Sequence, residues 1–276
     1  MRNRLRSLIA TDASKDRFLP TVKKALPFRI DPEGAREAVL LLHGLTGNPS
    51  ELMPLGEALA NAGYAVYAPR HPGHGTSRAD LFKSDATDWV RNSLDAYLDL
   101  QATYKTIHVV GHSMGGLLAT TVAMVFNVPK LILLAPAYLL TMKKVRWTMF
   151  LSHFKKVKIL NLPIPEDELG LPDQLQLRKE YWVDEMILPV AELFKLSIQV
   201  RHAISRLRSR TFVIVGGKDS VVPQEVAGMI KKIAVNSASV DTHIMSEASH
   251  IFPFDESKDE MIRLVLEWIG KPENKI

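Results

Sequence analysis

Short apolar segments alternate with amphipathic segments along most of the chain. Apolar, β-branched runs typical of strands occur near 27–30 and at 38–42, 64–68, 106–110, 131–135, 211–215 and 240–245. Patterns typical of helices occur at 54–62, 86–104, 117–124 and 258–269. Strands that alternate with helices indicate an α/β fold with a mainly parallel central sheet flanked by helices. The ligand site of such a sheet lies at the carboxyl ends of its strands.

The segment between the strands predicted at 131–135 and 211–215 is longer than one crossover helix requires. It combines aromatic and basic side chains, has no acidic residue from Thr141 to Leu160, and contains a proline-interrupted stretch at 162–165. An amphipathic pattern resumes from Pro189 to Ile204. We therefore expect an inserted cap, or lid.

A chain of 276 residues is long enough for one domain carrying such an insertion. The predicted division is a first part of the core at 1–136, the cap at 137–209, and a second part of the core at 210–276. Both parts of the core contain predicted strands.

Ser113 stands between two glycines, after a predicted strand and before a predicted helix. Residues 111–115 read Gly-His-Ser-Met-Gly, which matches the Gly-x-Ser-x-Gly nucleophile elbow. That elbow needs an abrupt turn from strand to helix, and its glycines leave room for the tight crossing. A glycine-rich turn without catalytic meaning is the alternative, but the flanking strand and helix favour the elbow.

A serine hydroxyl needs a base and a group that orients the base. Asp219 and His250 each follow one of the last two predicted strands. Asp241 and Asp255 are rival acids, but the first lies inside a strand pattern and the second comes after the histidine. The chain order Ser, Asp, His is the one used by α/β-hydrolases.

The oxyanion of an acyl-transfer reaction needs N–H donors. The apolar run at 38–42 ends in the loop His43-Gly44-Leu45-Thr46-Gly47. If this strand lies beside the elbow strand, the backbone N–H groups of Leu45 and Met114 converge on the carbonyl oxygen. An ordinary turn at the end of a strand is the alternative for His43 and Gly44.

These motifs together resemble the α/β-hydrolase superfamily, and more narrowly the bacterial carboxylesterase and monoacylglycerol lipase group. The resemblance covers roughly 37–135 and 210–270 and covers the middle of the chain poorly. The matching segments are Leu-Leu-His-Gly-Leu-Thr-Gly at 41–47, followed by Asn48, Pro-Gly-His-Gly at 72–75, Gly-His-Ser-Met-Gly-Gly at 111–116, Gly-Lys-Asp at 217–219 and Ser-His at 249–250.

The resemblance implies Ser113 as nucleophile, Asp219 as orienting acid and His250 as general base and acid. It also implies the N–H groups of Leu45 and Met114 as the oxyanion hole. One departure concerns His112, because close relatives often have leucine at the position before the serine. Candidate substrate contacts, from the cap and from the loops of the acid and base, are Trp147, Leu196, Val222 and Ile251.

Composition excludes several other classes of protein. The chain has no cysteine and a formal net charge of +5, and no nucleic-acid motif accompanies its basic residues, so we expect no nucleic-acid partner. We expect neither a secretory signal nor a membrane span, and a cytoplasmic location. His71 and His74 lack a third spaced ligand, so no metal and no cofactor is expected.

The basic residues of the cap allow two interpretations. We favour a cap whose apolar face lines an acyl pocket and whose lysines are solvated. The alternative is a lid that transiently touches anionic lipid aggregates. The oligomeric state is not predicted.

We expect a metal-independent serine hydrolase that cleaves short to medium acyl esters, with monoacylglycerols as a natural class, in lipid metabolism. The same triad acting on thioester, amide or carbon–carbon substrates is an alternative, because the pocket and not the fold sets the function. A non-catalytic binding protein on this fold is a further alternative. Haloalkane dehalogenation is disfavoured because it needs a carboxylate at the position of Ser113.

Overall fold

A computed structural model describes residues 25–76, 78–141 and 187–272, and in these residues seven strands form one sheet. The order across the sheet is β1-β3-β2-β4-β5-β6-β7, with β1 antiparallel to β3 and all other neighbours parallel. The mainly parallel α/β fold predicted from the sequence is confirmed. The strands are β1 Phe28–Ile30, β2 Glu37–Leu42, β3 Ala65–Ala68, β4 Thr106–His112, β5 Lys130–Leu134, β6 Arg210–Gly216 and β7 Ser239–Met245.

Helices connect these strands on both faces of the sheet. They are α1 Met53–Asn61, α2 Arg78–Leu81, α3 Ala86–Gln101, α4 Met114–Val125, α5 Ile187–Ala203, α6 Glu225–Ile233 and α7 Lys258–Ile269, with short 3-10 turns at Pro49–Leu52 and Ile204–Arg206. Helix α7 has its predicted bounds, whereas α3 ends three residues earlier than predicted. Helix α6 was missed by the sequence analysis, although its buried Val226 and Ile230 have helical spacing.

Side chains of the central strands alternate between two apolar layers, because successive residues of a strand point to opposite faces. In β2, Leu40 and Leu42 pack on the layer built with α3, α4, α5 and α6, and Val39 and Leu41 pack on the layer built with α1 and α7. Both faces of the strand are therefore buried, which explains why its sequence is continuously apolar rather than alternating.

The beginning of α3 shows how local sequence sets an element boundary. The carboxylate of Asp85 accepts hydrogen bonds from the N–H groups of Thr87 and Asp88, at 2.9 and 3.2 Å. In return, the Asp88 carboxylate accepts the N–H of Asp85 at 3.2 Å. This reciprocal capping box satisfies donors that would otherwise be unpaired, and α3 therefore starts at Ala86.

Residues 142–186, most of the predicted cap, lie outside the described residues, so the division at 137–209 stays a prediction. The flanking segments are firmly attached to the core. The Tyr138 hydroxyl donates to Oγ1 of Thr120 at 2.8 Å, and the Ser197 hydroxyl donates to the carbonyl oxygen of Tyr138 at 2.9 Å. Helix α5 thus joins α4 through a buried polar network. None of the helices in the described ranges combines the length and apolarity that crossing a bilayer requires.

Candidate active site

Ser113 occupies a strained position between β4 and α4. Its backbone angles are φ 52° and ψ −114°, in a region that residues other than glycine rarely adopt. Three hydrogen bonds hold it there. Its N–H donates to the carbonyl oxygen of Leu134 at 2.9 Å, and its carbonyl oxygen accepts the N–H groups of Gly116 and Ala137 at 3.0 and 3.1 Å. The predicted elbow conformation is therefore present, and neighbouring elements maintain it.

The glycines of the motif allow a close crossing of backbones. A Cβ atom on Gly111 would overlap the carbonyl oxygen of Gly115, and a Cβ atom on Gly115 would overlap the carbonyl oxygen of Leu42. Because the second clash involves β2, Gly115 brings the start of α4 directly against the carboxyl end of that strand. The motif thus positions Ser113 relative to the loop that follows β2.

His250 lies between Ser113 and Asp219. Its Nε2 atom is 3.0 Å from Oγ of Ser113, and its Nδ1 atom is 2.8 Å from Oδ2 of Asp219. Since an ionised carboxylate only accepts, Nδ1 carries the hydrogen and Nε2 is left to accept the serine proton. The three residues follow β4, β6 and β7 at the carboxyl edge of the sheet, as the sequence predicts.

The turn after β6 fixes the Asp219 carboxylate. Its Oδ1 atom accepts the N–H groups of Val221 and Val222, each at 2.8 Å, and its side chain has no exposed surface. Because these two donors occupy Oδ1, the second oxygen, Oδ2, is left directed at His250.

The rival acids are engaged elsewhere. Asp241 accepts the indole N–H of Trp268 at 2.8 Å on β7. Asp255 accepts the hydroxyl of Ser249 at 2.9 Å and the N–H of Ser257 at 2.7 Å, just before α7. Both carboxylates are thereby committed to other partners, which agrees with the preference for Asp219.

The loop after β2 lies beside the elbow because β2 and β4 are parallel neighbours, with Leu42 opposite Gly111. A Cβ atom on Gly44 would be 3.4 Å from Cβ of Ser113, so this loop passes next to the nucleophile. Leu45 follows in the loop, and Met114 opens α4 on the other side of Ser113. Both residues follow the carboxyl end of a strand, next to Ser113. Their roles as oxyanion donors stay predictions.

Three buried histidines support this loop, a feature that the sequence analysis did not find. Nδ1 of His43 donates to the carbonyl oxygen of Gly44 at 2.9 Å, and its Nε2 accepts the N–H of His71 at 3.1 Å. The rings of His43, His71 and His74 pack together, with centroids 4.3 to 6.0 Å apart. Sequence reasoning placed His43 in the glycine-bracketed loop after the strand, with an ordinary turn as the alternative, and only its position at the end of an apolar run could have signalled burial.

Burial keeps these imidazoles neutral. Desolvation, reinforced by the neighbouring histidines, lowers the pKa of His43 well below its usual value. The same causes lower the pKa of His71 to about 3, and desolvation lowers the pKa of His74 to about 4. Among the described residues, no three ionisable side chains are grouped as metal ligands. In their neutral form the three rings pack together, and His43 makes the two hydrogen bonds described above.

The substrate contacts expected from the sequence have different positions. Leu196 on α5 and Val222 after Asp219 are buried within the same apolar layer, and Ile251 is buried directly after His250. Trp147 lies outside the described residues. Their contact with substrate stays a prediction, and for Leu196 and Val222 the burial also fits a purely structural role.

Comparison with known proteins identifies a matching family. A model of the alpha/beta hydrolase family matches residues 39–264, which is most of the chain. The chain belongs to the α/β-hydrolase family.

Two similar relatives match nearly their whole length. A carboxylesterase from Bacillus subtilis (strain 168) is 25% identical over 240 residues, covering 87% of this chain and 94% of the relative. A thermostable monoacylglycerol lipase from Bacillus sp. (strain H-257) is 29% identical over 258 residues, covering 91% and 97%. These relatives agree with the carboxylesterase and monoacylglycerol lipase group expected from the motifs.

A solved structure from work on LipS and LipT, two metagenome-derived lipolytic enzymes, has a TM-score of 0.80 to this chain. It covers 92% of this chain and 100% of its own, at 23% identity, and at that identity the likeness concerns the fold. Family and relatives together support a hydrolase of the esterase and lipase type.

Proposed function

We propose that the protein is a serine carboxylic-ester hydrolase that cleaves short to medium acyl esters, including monoacylglycerols, through an acyl-enzyme intermediate. The observation that carries this proposal is the continuous hydrogen-bonded chain from Asp219 through His250 to Ser113. It ends at a serine that sits at the apex of a strained elbow between strand and helix.

In the acylation step, Oγ of Ser113 attacks the ester carbonyl carbon while its proton moves to Nε2 of His250. The imidazolium that forms is stabilised by Asp219 through Nδ1–H. Collapse of the tetrahedral intermediate breaks the carbon–oxygen bond to the alcohol, and Nε2 returns the proton to the departing oxygen. The products are the free alcohol and an ester of the acyl group with Ser113.

Deacylation repeats these proton movements with water. Nε2 of His250 accepts a proton from water as its oxygen attacks the acyl carbon, and the proton then returns to Oγ of Ser113. Through both steps the oxyanion receives N–H groups from Leu45 and Met114 in our proposal. Each such donor contributes about 2.7 to 4 kcal/mol of transition-state stabilisation in comparable sites.

The substrate class rests on the relatives named carboxylesterase and monoacylglycerol lipase. An apolar acyl pocket discriminates by only about 1 to 3 kcal/mol per methylene, so a range of acyl lengths should be accepted. The cytoplasmic location expected from the sequence likewise stays a prediction.

The test is turnover of acyl esters of increasing chain length and of glycerol monoesters by the wild type and Ser113→Ala. A thioester, an anilide and a β-diketone complete the panel. The proposal predicts turnover of the esters, loss of that turnover in Ser113→Ala, and covalent labelling of the wild type alone by a fluorophosphonate. Preferential turnover of another bond type would replace the ester assignment, and labelling that persists in Ser113→Ala would refute Ser113 as the nucleophile.

A further inference from the structure

His112, the last residue of β4, contacts the main chain of the residue that we propose as the base. Its ring is buried, and its Nε2 atom lies 3.0 Å from the carbonyl oxygen of His250. A carbonyl oxygen only accepts, so Nε2 of His112 carries a hydrogen and donates it. His250 is thus held at its backbone by His112, in addition to the two hydrogen bonds of its own ring.

The other ring nitrogen of His112 faces a carboxylate. Its Nδ1 atom lies 3.6 Å from Oε2 of Glu51, and the two side chains are only 4% and 13% exposed. Within the described residues neither atom has a hydrogen-bond partner. Asn48 fixes the turn that carries Glu51 by accepting the N–H of Ser50 at 3.0 Å.

The contact between Glu51 and His112 is close without being a hydrogen bond. At 3.6 Å the two atoms are beyond hydrogen-bond distance, so the carboxylate lies beside the ring. Glu51 therefore limits the space in which the ring of His112 can move.

We propose that Glu51 and His112 act as a positioning pair for His250, in which His112 holds the main chain of His250 and Glu51 supports the ring of His112. The pair also involves the oxyanion loop. A Cβ atom on Gly44 would be 3.4 Å from Nδ1 of His112, and one on Gly47 would overlap the Glu51 carboxylate. The pair therefore links the loop after β2, the elbow and the main chain of the base. This inference rests on the proposed function, because it assigns a role relative to His250.

The surroundings of the pair connect it to the proposed triad. His250 faces it from the loop after β7, with ring centroids 5.2 Å apart, and Asp219 lies behind His250. The apolar rings of Phe252 and Phe254 flank His112, with centroids at 6.3 and 6.4 Å.

The first test separates positioning from packing by comparing His112→Leu with His112→Gln. Glutamine can still donate an amide hydrogen to the His250 carbonyl, whereas leucine cannot. With a p-nitrophenyl ester, His112→Leu should lower kcat about 10-fold to 100-fold with KM nearly unchanged, and His112→Gln should recover most of that loss. A rise in KM alone, or a glutamine variant no better than the leucine variant, would overturn the positioning role.

The second test measures what Glu51 contributes by comparing Glu51→Ala with Glu51→Gln. Glutamine keeps the length of the side chain that lies against His112, whereas alanine removes that contact. With the same ester, Glu51→Ala should lower kcat with KM nearly unchanged, and Glu51→Gln should recover most of that loss. A change in KM alone, or a glutamine variant no better than the alanine variant, would overturn the role of Glu51.

A matched control is His108→Leu on the same strand. His108 is also buried beside a carboxylate, with Nε2 3.0 Å from Oε2 of Glu37, but it lies in the first half of β4, away from the candidate site. This variant should keep the wild-type kcat and KM. If His112→Leu does not fold, the kcat and KM values of His112→Gln, Glu51→Ala and Glu51→Gln still decide the matter.

The outcome of these tests is separable from that of the proposed function. An active wild type whose variants behave like it refutes only the positioning pair. A wild type that cleaves no ester and is not labelled at Ser113 refutes the proposed function, and the positioning role is refuted with it.

Discussion

The main-chain N–H of His71 donates to Nε2 of His43, which in turn donates through Nδ1 to the carbonyl oxygen of Gly44. One imidazole therefore connects the loop after β3 to the loop after β2, and it does so from within the core. The proposed oxyanion donor Leu45 follows directly, so the position of that loop depends on a buried hydrogen-bonded ring.

Replacing His43 tests this dependence. His43→Leu leaves the N–H of His71 unpaired in the core, and a buried unpaired group costs about 1 to 3 kcal/mol. The carbonyl oxygen of Gly44 loses one of its two hydrogen bonds and keeps the one from the N–H of Gly47, at 3.3 Å. The free energy of unfolding from urea titration should fall by a similar amount, and kcat should fall as the loop shifts. His43→Asn keeps a donor for Gly44 and should lose less. Equal losses in the two variants would contradict the role of the hydrogen bonds.

The buried histidines predict acid sensitivity. In the unfolded chain a histidine titrates near pH 6.5, whereas His71 and His74 have folded-state pKa values of about 3 and about 4. Below about pH 6.5 the unfolded state therefore binds protons that the folded state does not. The free energy of unfolding should be fully retained above that pH and should fall by up to roughly 1.4 kcal/mol per pH unit for each histidine as the pH drops toward 4.

Chemical denaturation at a series of pH values measures this slope. His74→Gln cannot titrate and should show a shallower loss between about pH 6 and pH 4. His202→Gln removes an exposed histidine and should keep the wild-type slope. An unchanged slope in His74→Gln would show that other groups control the acid response.

Asp219→Asn tests whether activity needs the negative charge of Asp219 in addition to the turn that its side chain holds. An asparagine oxygen can still accept the N–H groups of Val221 and Val222, so the turn should survive, but the amide no longer stabilises the imidazolium or the required tautomer of His250. In the comparable triad described for serine proteases, the same change lowers kcat by about 10⁴-fold, and a large loss is expected here. Asp241→Asn is the matched control, and ester assays should show nearly wild-type kcat for it.

Replacing glycine by alanine should have opposite effects on stability at two helix positions, Gly115 and Gly228. Gly115→Ala places a methyl group against the carbonyl oxygen of Leu42 and should abolish activity or folding. Gly228 lies within α6, and a Cβ atom added there would have no neighbour within 4 Å. Gly228→Ala should therefore raise the free energy of unfolding by about 0.5 to 1 kcal/mol. Thermal unfolding compares the stabilities of the two variants. A stable, active Gly115→Ala variant would contradict the close approach of the start of α4 to β2.

The sequence predicts the framework well because apolar runs and glycine positions act locally. Strand β2 is buried on both faces, and its continuous apolar run identifies it without further context. The elbow is similarly local in part, because Gly111 is constrained by the backbone of Gly115, only four residues later. Contacts between distant residues are not predictable in this way. Nothing in the sequence pairs Glu51 with His112 or groups His43 with His71, since those contacts depend on how the parallel strands bring their loops together.

The network of Thr120, Tyr138 and Ser197 fastens both flanks of residues 142–186 to the helix that begins after Ser113. All three residues lie outside that stretch, as do Ser113, Asp219 and His250. Natural substitutions within 142–186 therefore leave unaltered both the side chains of these attachments and those of the candidate site.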